Sequence, residues 1–471
     1  MNKFLKIYFS LFAAAVVLAS CKVTQTYERP EVNVSVADSL FRGVYTDDTT
    51  TLADVPWNEM FPDAHLQNLI AEALQNNYDL KIAIERINEA DAVFKQSQLA
   101  YLPSVNANAA LSYNIASLSN INLPPNVTID RSTTPFQLAA SSSWEPDIWG
   151  RIRSAEEAAY ARLWQTDAVK RGVQTQIIAN LAGLYYQLLG LDENLRITQE
   201  AIDLRREDVE TMKALKEAAY VTGAAVVQSE ANLYAAQVSL PDLKRSIREI
   251  ENVIAVLTGK TPGPVERSTL AQQRTNYELN TGVPLQLLNN RPDVQAAEYA
   301  FRAAFENTNI ARASFYPNLS ISATGGISTF RLQNLFKSSP WFLTLGGNLS
   351  HVIFNRGQLK MQLSVAESQQ MQAYYAFQQS LLKAGQEVSD ALYAYETALE
   401  KQGTRSSQVA SLEKAVEFNK ELLRYSSATN YTDVLFAEQT YLQAQLAGVS
   451  DKMQELEAIV ELYRALGGGW K

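Results

Sequence analysis

The chain repeats itself once, and that repeat limits what it can fold into more than any other feature. Asn77-Tyr78-Asp79-Leu80 aligns with Arg291-Pro292-Asp293-Val294. At the same offset Ala83 meets Ala297, Ala90 meets Ala304 and Pro103 meets Pro317. Further on, Ile148-Trp149-Gly150-Arg151 matches Ile353-Phe354-Asn355-Arg356 across a shorter intervening loop. A period on the order of 200 residues is too long for a solenoid, whose units reach about 50. The chain is therefore a tandem duplication of one structural unit.

Each copy has the same grammar. A helix ends at the proline, because the residue before a proline is pushed out of the α region. An alternating strand follows. Val105, Ala107, Ala109, Leu111 and Tyr113 share one face in the first copy, and Leu319, Ile321, Ala323 and Ile327 do so in the second. Asn106, Asn108, Ser112 and Asn318, Ser320, Ser322 take the opposite faces. In the first copy a loop with Pro124-Pro125 leads to a strand with Phe136, Leu138, Ala140 and Trp144 on one side. The returning strand of the second copy carries Trp341, Leu343, Leu345 and Leu349. Four strands of about ten residues, apolar on one face only, fit the transmembrane β pattern. The same alternation fits a soluble sheet packed on a core, and periodicity does not separate the two. If the face meets lipid, four strands are too few to close, and open edges are not tolerated in hydrocarbon.

A long helical stretch follows each strand pair. Residues 357 to 471 contain no proline. Tyr374, Phe377, Leu381, Ala384, Val388, Ala391, Tyr395 and Ala398 step by three and four, the seam of a left-handed coiled coil. Ile177, Leu181, Leu184, Leu188, Leu191 and Leu195 nearly repeat it in the first copy. About 70 residues separate each strand pair from the next break, near Gly223 and near Ala428 to Asn430, which is on the order of 100 Å of helix.

The beginning of the chain sets the compartment. Lys3 and Lys6 precede an apolar run from Ile7 to Ala19, and Leu18-Ala19-Ser20-Cys21 closes it. A charged region, a short apolar region and small residues before the cut make residues 1–20 a signal peptide. Cleavage before Cys21 would expose the chain's lone cysteine for lipid attachment, as in bacterial lipoproteins. An ordinary signal peptide with an incidental cysteine is the plainer alternative.

Composition removes several function classes. One cysteine excludes an intramolecular disulfide framework. The two histidines, His65 and His351, stand far apart, so zinc ligation from His and Cys is not expected. A net charge of −9 with no basic stripe argues against a nucleic-acid partner. No glycine-rich phosphate loop, no nucleophile elbow and no metal-ligand spacing appears, so neither an enzyme nor a cofactor is expected.

Several phrases resemble the TolC-like outer-membrane efflux protein family, most closely its lipoprotein branch serving resistance-nodulation-division pumps. Pro56-Trp57, Phe61-Pro62-Asp63, Leu66, Leu69-Ile70 and Ala73-Leu74 look like that branch's opening helix, and Asn77 to Leu80 continues it. Trp144-Glu145-Pro146-Asp147-Ile148-Trp149-Gly150-Arg151 resembles its strand-to-helix junction, with Pro146 where an apolar residue is more usual. Leu287 to Asp293 resembles the start of the second repeat. Arg424-Tyr425 followed by Asp433-Val434-Leu435 resembles the segment that constricts the closed pore at the periplasmic mouth. Asn430 stands near where some members carry an arginine, and Phe436 replaces a second acid.

The resemblance implies a mostly α chain with a transmembrane β part. It implies long helices in a helical barrel and four strands per chain that close a 12-stranded β-barrel in a homotrimer. It also implies an outer-membrane exit duct of a tripartite efflux pump, lipid-anchored, with a periplasmic adaptor, an inner-membrane pump and outer-membrane lipid as partners. Tyr425 and Asp433 become gate candidates and Cys21 the lipidation site. Asp433 equally suits the first turn of a helix, where an acid meets the positive end of the dipole. The expected organisation is a signal peptide (1–20), a first repeat (21–257), a linker or equatorial segment (258–290) and a second repeat (291–471). A plain linker remains open for the third of these. An enzyme of unrecognised type and a non-channel lipoprotein scaffold remain the rivals.

Overall fold

A computed structural model describes residues 23–30, 41, 50–115, 117, 132–273, 281, 287–330, 341–425 and 430–471. Cys21, the leader before it, the Pro124-Pro125 loop, much of 274–286 and the turn at 426–429 lie outside the described residues.

The long elements come in matched pairs. Helix α1 spans Ala64–Asn76 and α2 spans Tyr78–Leu99; strands β1 (Ser104–Leu111) and β2 (Phe136–Trp144) follow. Helices α3 (Arg151–Glu217) and α4 (Gly223–Leu257) complete the first copy. The second copy has α5 (Pro292–Ala313), β3 (Asn318–Thr329), β4 (Trp341–Ser350), α6 (Gln358–Tyr425) and α7 (Tyr431–Ala465). Helices α2 and α5 are both 22 residues, α3 and α6 are 67 and 68, and α4 and α7 are both 35. At 1.5 Å per residue, α3 and α6 each run about 100 Å. Shorter helical turns and a two-residue strand pair (Asn114–Ile115 with Ser132–Thr133) fill the joints.

Local chemistry sets the boundaries. Asp63 caps α1, accepting from the backbone N–H of His65 at 2.9 Å. Asp147 does the same for α3 with both oxygens, each 2.9 Å from the N–H of Ile152 or Arg153. The α3–α4 turn does not use Gly223, which is already helical. The left-handed residue there is Ala219, at φ 61°, and Tyr220 N–H closes the helix end on Leu215 C=O at 2.8 Å.

The chain packs as two compact units, each drawing on both repeats. The first holds the sheet, the segment to Arg29 and the parts of α2, α3, α5 and α6 nearest the strands in sequence. Its sheet is a wholly antiparallel meander, β1-β2-β3-β4, with β1 and β4 as edges. The register places Val105, Ala107, Ala109 and Leu111 opposite Ser142, Ala140, Leu138 and Phe136. Leu138 and Trp144 in turn face Ile327 and Ile321, and Ala323 faces Leu345. All four apolar sets therefore share one face, and that face is bare: Leu345 is 74% and Trp341 72% exposed. The first strand is shorter than its alternation suggests, ending at Leu111 before Tyr113. Gly326 has no room for a side chain, because a Cβ there would stand 2.2 Å from Leu138 C=O and 2.6 Å from Ala139 Cα. Its indole-rich base is tied down: Trp144 Nε1 donates to Tyr101 C=O at 2.8 Å and Trp149 Nε1 to Pro317 C=O at 2.7 Å.

The second unit holds the main core. Ile177, Leu181 and Leu188 of α3 and Phe377, Leu381, Ala384, Val388 and Ala391 of α6 are all buried there. These are the seam residues of the heptad pattern, and their burial supplies the driving force that helix propensity alone does not. The segment after α4 is packed against this unit. Arg267 reaches Asp192 at 2.5 Å and Glu251 at 2.6 Å, and Leu270 is buried. Asp63 Oδ2 accepts from Tyr185 Oη and Gln273 Nε2, both at 2.8 Å, and Ser268 N–H donates to Tyr185 Oη at 3.0 Å.

The repeats use equivalent ties at their starts. Asn77 Nδ2 donates to Leu257 C=O at the end of α4, at 3.0 Å. Arg291 Nη1 donates to Ala465 C=O at the end of α7, at 2.9 Å. Each repeat thus fastens the start of its 22-residue helix, α2 or α5, to a carbonyl at the end of its own hairpin.

Candidate functional site

The sequence places the gate candidates at the α6–α7 turn. Tyr425 is the last residue of α6 and 85% exposed. Asp433 sits in the first turn of α7, also exposed. The structure gives Asp433 a definite backbone role. Its N–H donates to Asn430 Oδ1 at 3.2 Å, and its Oδ2 accepts from Asn430 N–H at 3.1 Å. This is a capping box, which satisfies two N–H groups at once. Asn430 is therefore the N-cap, a role for which an arginine is poorly suited. Phe436, one turn on, leaves its ring 74% exposed, so the tip presents aromatic surface where a second acid was absent.

Behind the tip, four helix ends of the second unit converge. Met212 of α3, Val226 of α4 and Tyr431 of α7 form a small buried cluster, with Leu215, Val221, Leu423 and Leu435 packed against it. One side of that cluster carries charge. Lys420 Nζ of α6 lies 2.5 Å from Glu438 Oε1 of α7 and 3.4 Å from Asp208 Oδ1 of α3. One ammonium thus serves two carboxylates in a largely buried position. Burial and the neighbouring Asp208 carboxylate push the Glu438 carboxyl up to about 7, against the pull of Lys420. The arrangement ties one helical hairpin to the other just inside the turn that carries Tyr425 and Asp433.

Sequence reasoning does not find Asp208, Lys420 and Glu438. Scattered charges on a long helix look the same whether they face water or a neighbouring hairpin. Among the described residues no group of three or more His, Cys, Asp or Glu side chains could hold a metal ion. No described helix is long and apolar enough to cross a membrane. The exposed apolar face of the sheet is the surface suited to lipid.

The comparisons with known proteins agree with this geometry. The family described as outer membrane efflux protein matches residues 69–260 and 283–468, one segment per repeat. The chain is 27% identical over 469 residues to the probable efflux pump outer membrane protein TtgC of Pseudomonas putida, covering 98% of this chain and 95% of TtgC. It is 26% identical over 468 residues to the cation efflux system protein CusC of Escherichia coli, covering 98% of each. Among solved structures, the open state of the MtrE outer membrane channel of Neisseria gonorrhoeae is 27% identical, with a TM-score of 0.84 over 96% of this chain and 99% of that one. With both repeats matched and nearly the whole chain aligned, the chain belongs to the outer membrane efflux protein family and serves as the outer-membrane exit duct of an efflux pump.

Proposed function

We propose that three copies of this chain pair through β1 and β4 into one 12-stranded barrel, and that the closed trimer is the conducting species. The observation that carries this is the sheet itself: two unpaired edges on a sheet whose apolar face is bare. Neither is stable in hydrocarbon, and joining copies edge to edge removes every edge. Detergent-solubilised protein is expected to scatter light as a trimer. A persistent folded monomer with full strand content contradicts the barrel. A periplasmic adaptor and an inner-membrane pump complete the assembly on this reading, and Cys21 carries a lipid that anchors the chain. One Pseudomonas putida relative is named for toluene efflux and CusC for cation efflux, and a duct without chemistry of its own suits either cargo.

Tyr425 and Asp433 line the periplasmic mouth on the same reading. Threefold symmetry repeats the Asp433 carboxylate around one axis, which favours cations. The capping box complicates any test by alanine, since Asp433→Ala also strips the acceptor from Asn430 N–H whatever the pore does. Asp433→Asn separates the two roles. Its amide oxygen still accepts from Asn430 N–H while the charge is gone. The variant is expected to melt as the parent does and to show a weaker cation preference in single-channel reversal potentials across a salt gradient. Asp433→Arg should move the preference toward anions. Parent reversal potentials in both variants refute the gate role.

A further inference from the structure

Residues 23–29 show no periodicity, yet the first unit holds them along one stripe of α5. Gln25 N–H donates to Asn309 Oδ1 at 3.0 Å, and Asn309 Nδ2 donates back to Gln25 C=O at 2.9 Å. A side-chain amide offers one donor and one acceptor side by side, so it can pair with a peptide group as a strand would. Asn309 is 0% exposed, and its Nδ2 also donates to Glu306 at 3.0 Å. Two residues along, the Tyr27 ring lies 5.9 Å from Phe301 and 5.6 Å from Phe305, with the Arg302 guanidinium 5.6 Å from its centroid. Two further on, Arg29 pairs with Glu298 at 2.6 Å.

The spacing is that of an extended segment on a helix. Positions 25, 27 and 29 meet Asn309, the Phe301–Phe305 turn and Glu298, in that order. Four extended residues cover about 13 Å and eleven helical ones about 16 Å, so strap and helix match in length and run antiparallel. The N-terminal end of the strap therefore lies at the end of α5 that leads through Pro317 into β3. Thr24 also lies against Gly150, where a Cβ would come within 3.0 Å of its side chain. Residue 21 is four positions before Gln25, and four residues reach about 14 Å at most.

We propose that this stripe of α5 is a docking rail for the segment after Cys21, with Asn309 setting its register, so that a lipid on Cys21 is delivered beside the base of the sheet. This rests on the lipidation of Cys21. Asn309 is a positioning residue that reads only the backbone of Gln25, and the side chain at 25 is immaterial.

The test compares two substitutions at an exposed position in the full, membrane-purified protein. Gln25→Pro deletes the N–H that Asn309 accepts and disturbs no buried side chain. Gln25→Ala keeps both backbone groups. Amide exchange of residues 26–29 is expected to quicken at least about tenfold in Gln25→Pro and to stay at the parent rate in Gln25→Ala. A bimane on Glu28→Cys, quenched by spin-labelled lipids in vesicles, should report one depth in the parent and a spread of depths once Gln25→Pro is added. Mass spectrometry of the N-terminal peptide should show the acyl group in the parent and in Gln25→Pro, and none in Cys21→Ala. Parent-like exchange or parent-like depth in Gln25→Pro overturns the rail and leaves the anchor standing. A parent chain without an acyl group overturns the anchor and the proposal with it.

Discussion

Arg291→Ala is expected to loosen the end of α7 by about 3 kcal/mol, the low end of the cost of breaking a buried ion pair. Arg291 is 4% exposed in its side chain and has three kinds of partner. It forks onto Asp293, with Nη2 at 2.6 Å and Nε at 2.9 Å. Nη1 reaches Glu387 Oε2 at 2.9 Å and Ala465 C=O at 2.9 Å. Burial alone would raise the Asp293 carboxyl, yet the Arg291 fork holds it below the usual carboxylate range. Removing the guanidinium strands a carbonyl and a carboxylate together. The loss stays near the low end because Arg464 Nη2 is 3.3 Å from the same Glu387 oxygen and Asp293 is half exposed. Hydrogen exchange of the last turn of α7 should quicken roughly a hundredfold. Arg291→Lys keeps the charge but cannot fork, so it should fall between the parent and Arg291→Ala. Exchange in Arg291→Ala at the parent rate means that the tie between Arg291 and Ala465 contributes nothing.

The hairpin tip is expected to tighten in acid and loosen through neutrality. Glu438 ionises near 4.5 when exposed and near 7 in the folded chain. Between those values the native state holds a proton that the open state has lost. Stability therefore falls as pH rises through that window: the contribution is complete below about 4.5 and gone above about 7. A shift of this size corresponds to about 3 kcal/mol at most. Burial disfavours the Glu438 carboxylate most, and the groups facing it add to or offset that effect. Asp208 on α3 repels the second negative charge, and Lys420 on α6 offsets only part of that repulsion. Glu438→Gln imitates the protonated form. Hydrogen exchange at the start of α7 should slow in Glu438→Gln at pH 8 and no longer change between pH 5 and pH 8. The parent's pH slope surviving in Glu438→Gln would falsify this assignment. Such a latch would link periplasmic acidity to the ease with which the two hairpins part.

Much of the frame is legible in the sequence. The matched prolines at 103 and 317 stop α2 and α5 within a turn of the same place, because the proline restriction is local. The heptad positions from Phe377 to Ala391 are buried as spaced, since a period of 3.5 leaves a long helix one seam to bury. Strand alternation also paired the faces correctly, because side chains repeat every two residues whatever surrounds them. The break near Gly223 falls at residues 218–222, and only the structure shows that an alanine, Ala219, takes the left-handed position there.

Near neighbours in the chain thus account for the order, length and periodicity of the elements, and for the duplication that relates them. The tertiary structure alone decided what each surface meets. Whether the apolar strand face was core or bare could not follow from alternation, since the pattern is the same in both. Nor could the pairing of Lys420 with Asp208, more than two hundred residues away, because a charge on a helix carries no mark of its partner. The strap from Thr24 to Arg29 shows the limit most plainly. Its conformation is held by a buried amide on α5 that reads backbone, and backbone is identical at every position of a sequence.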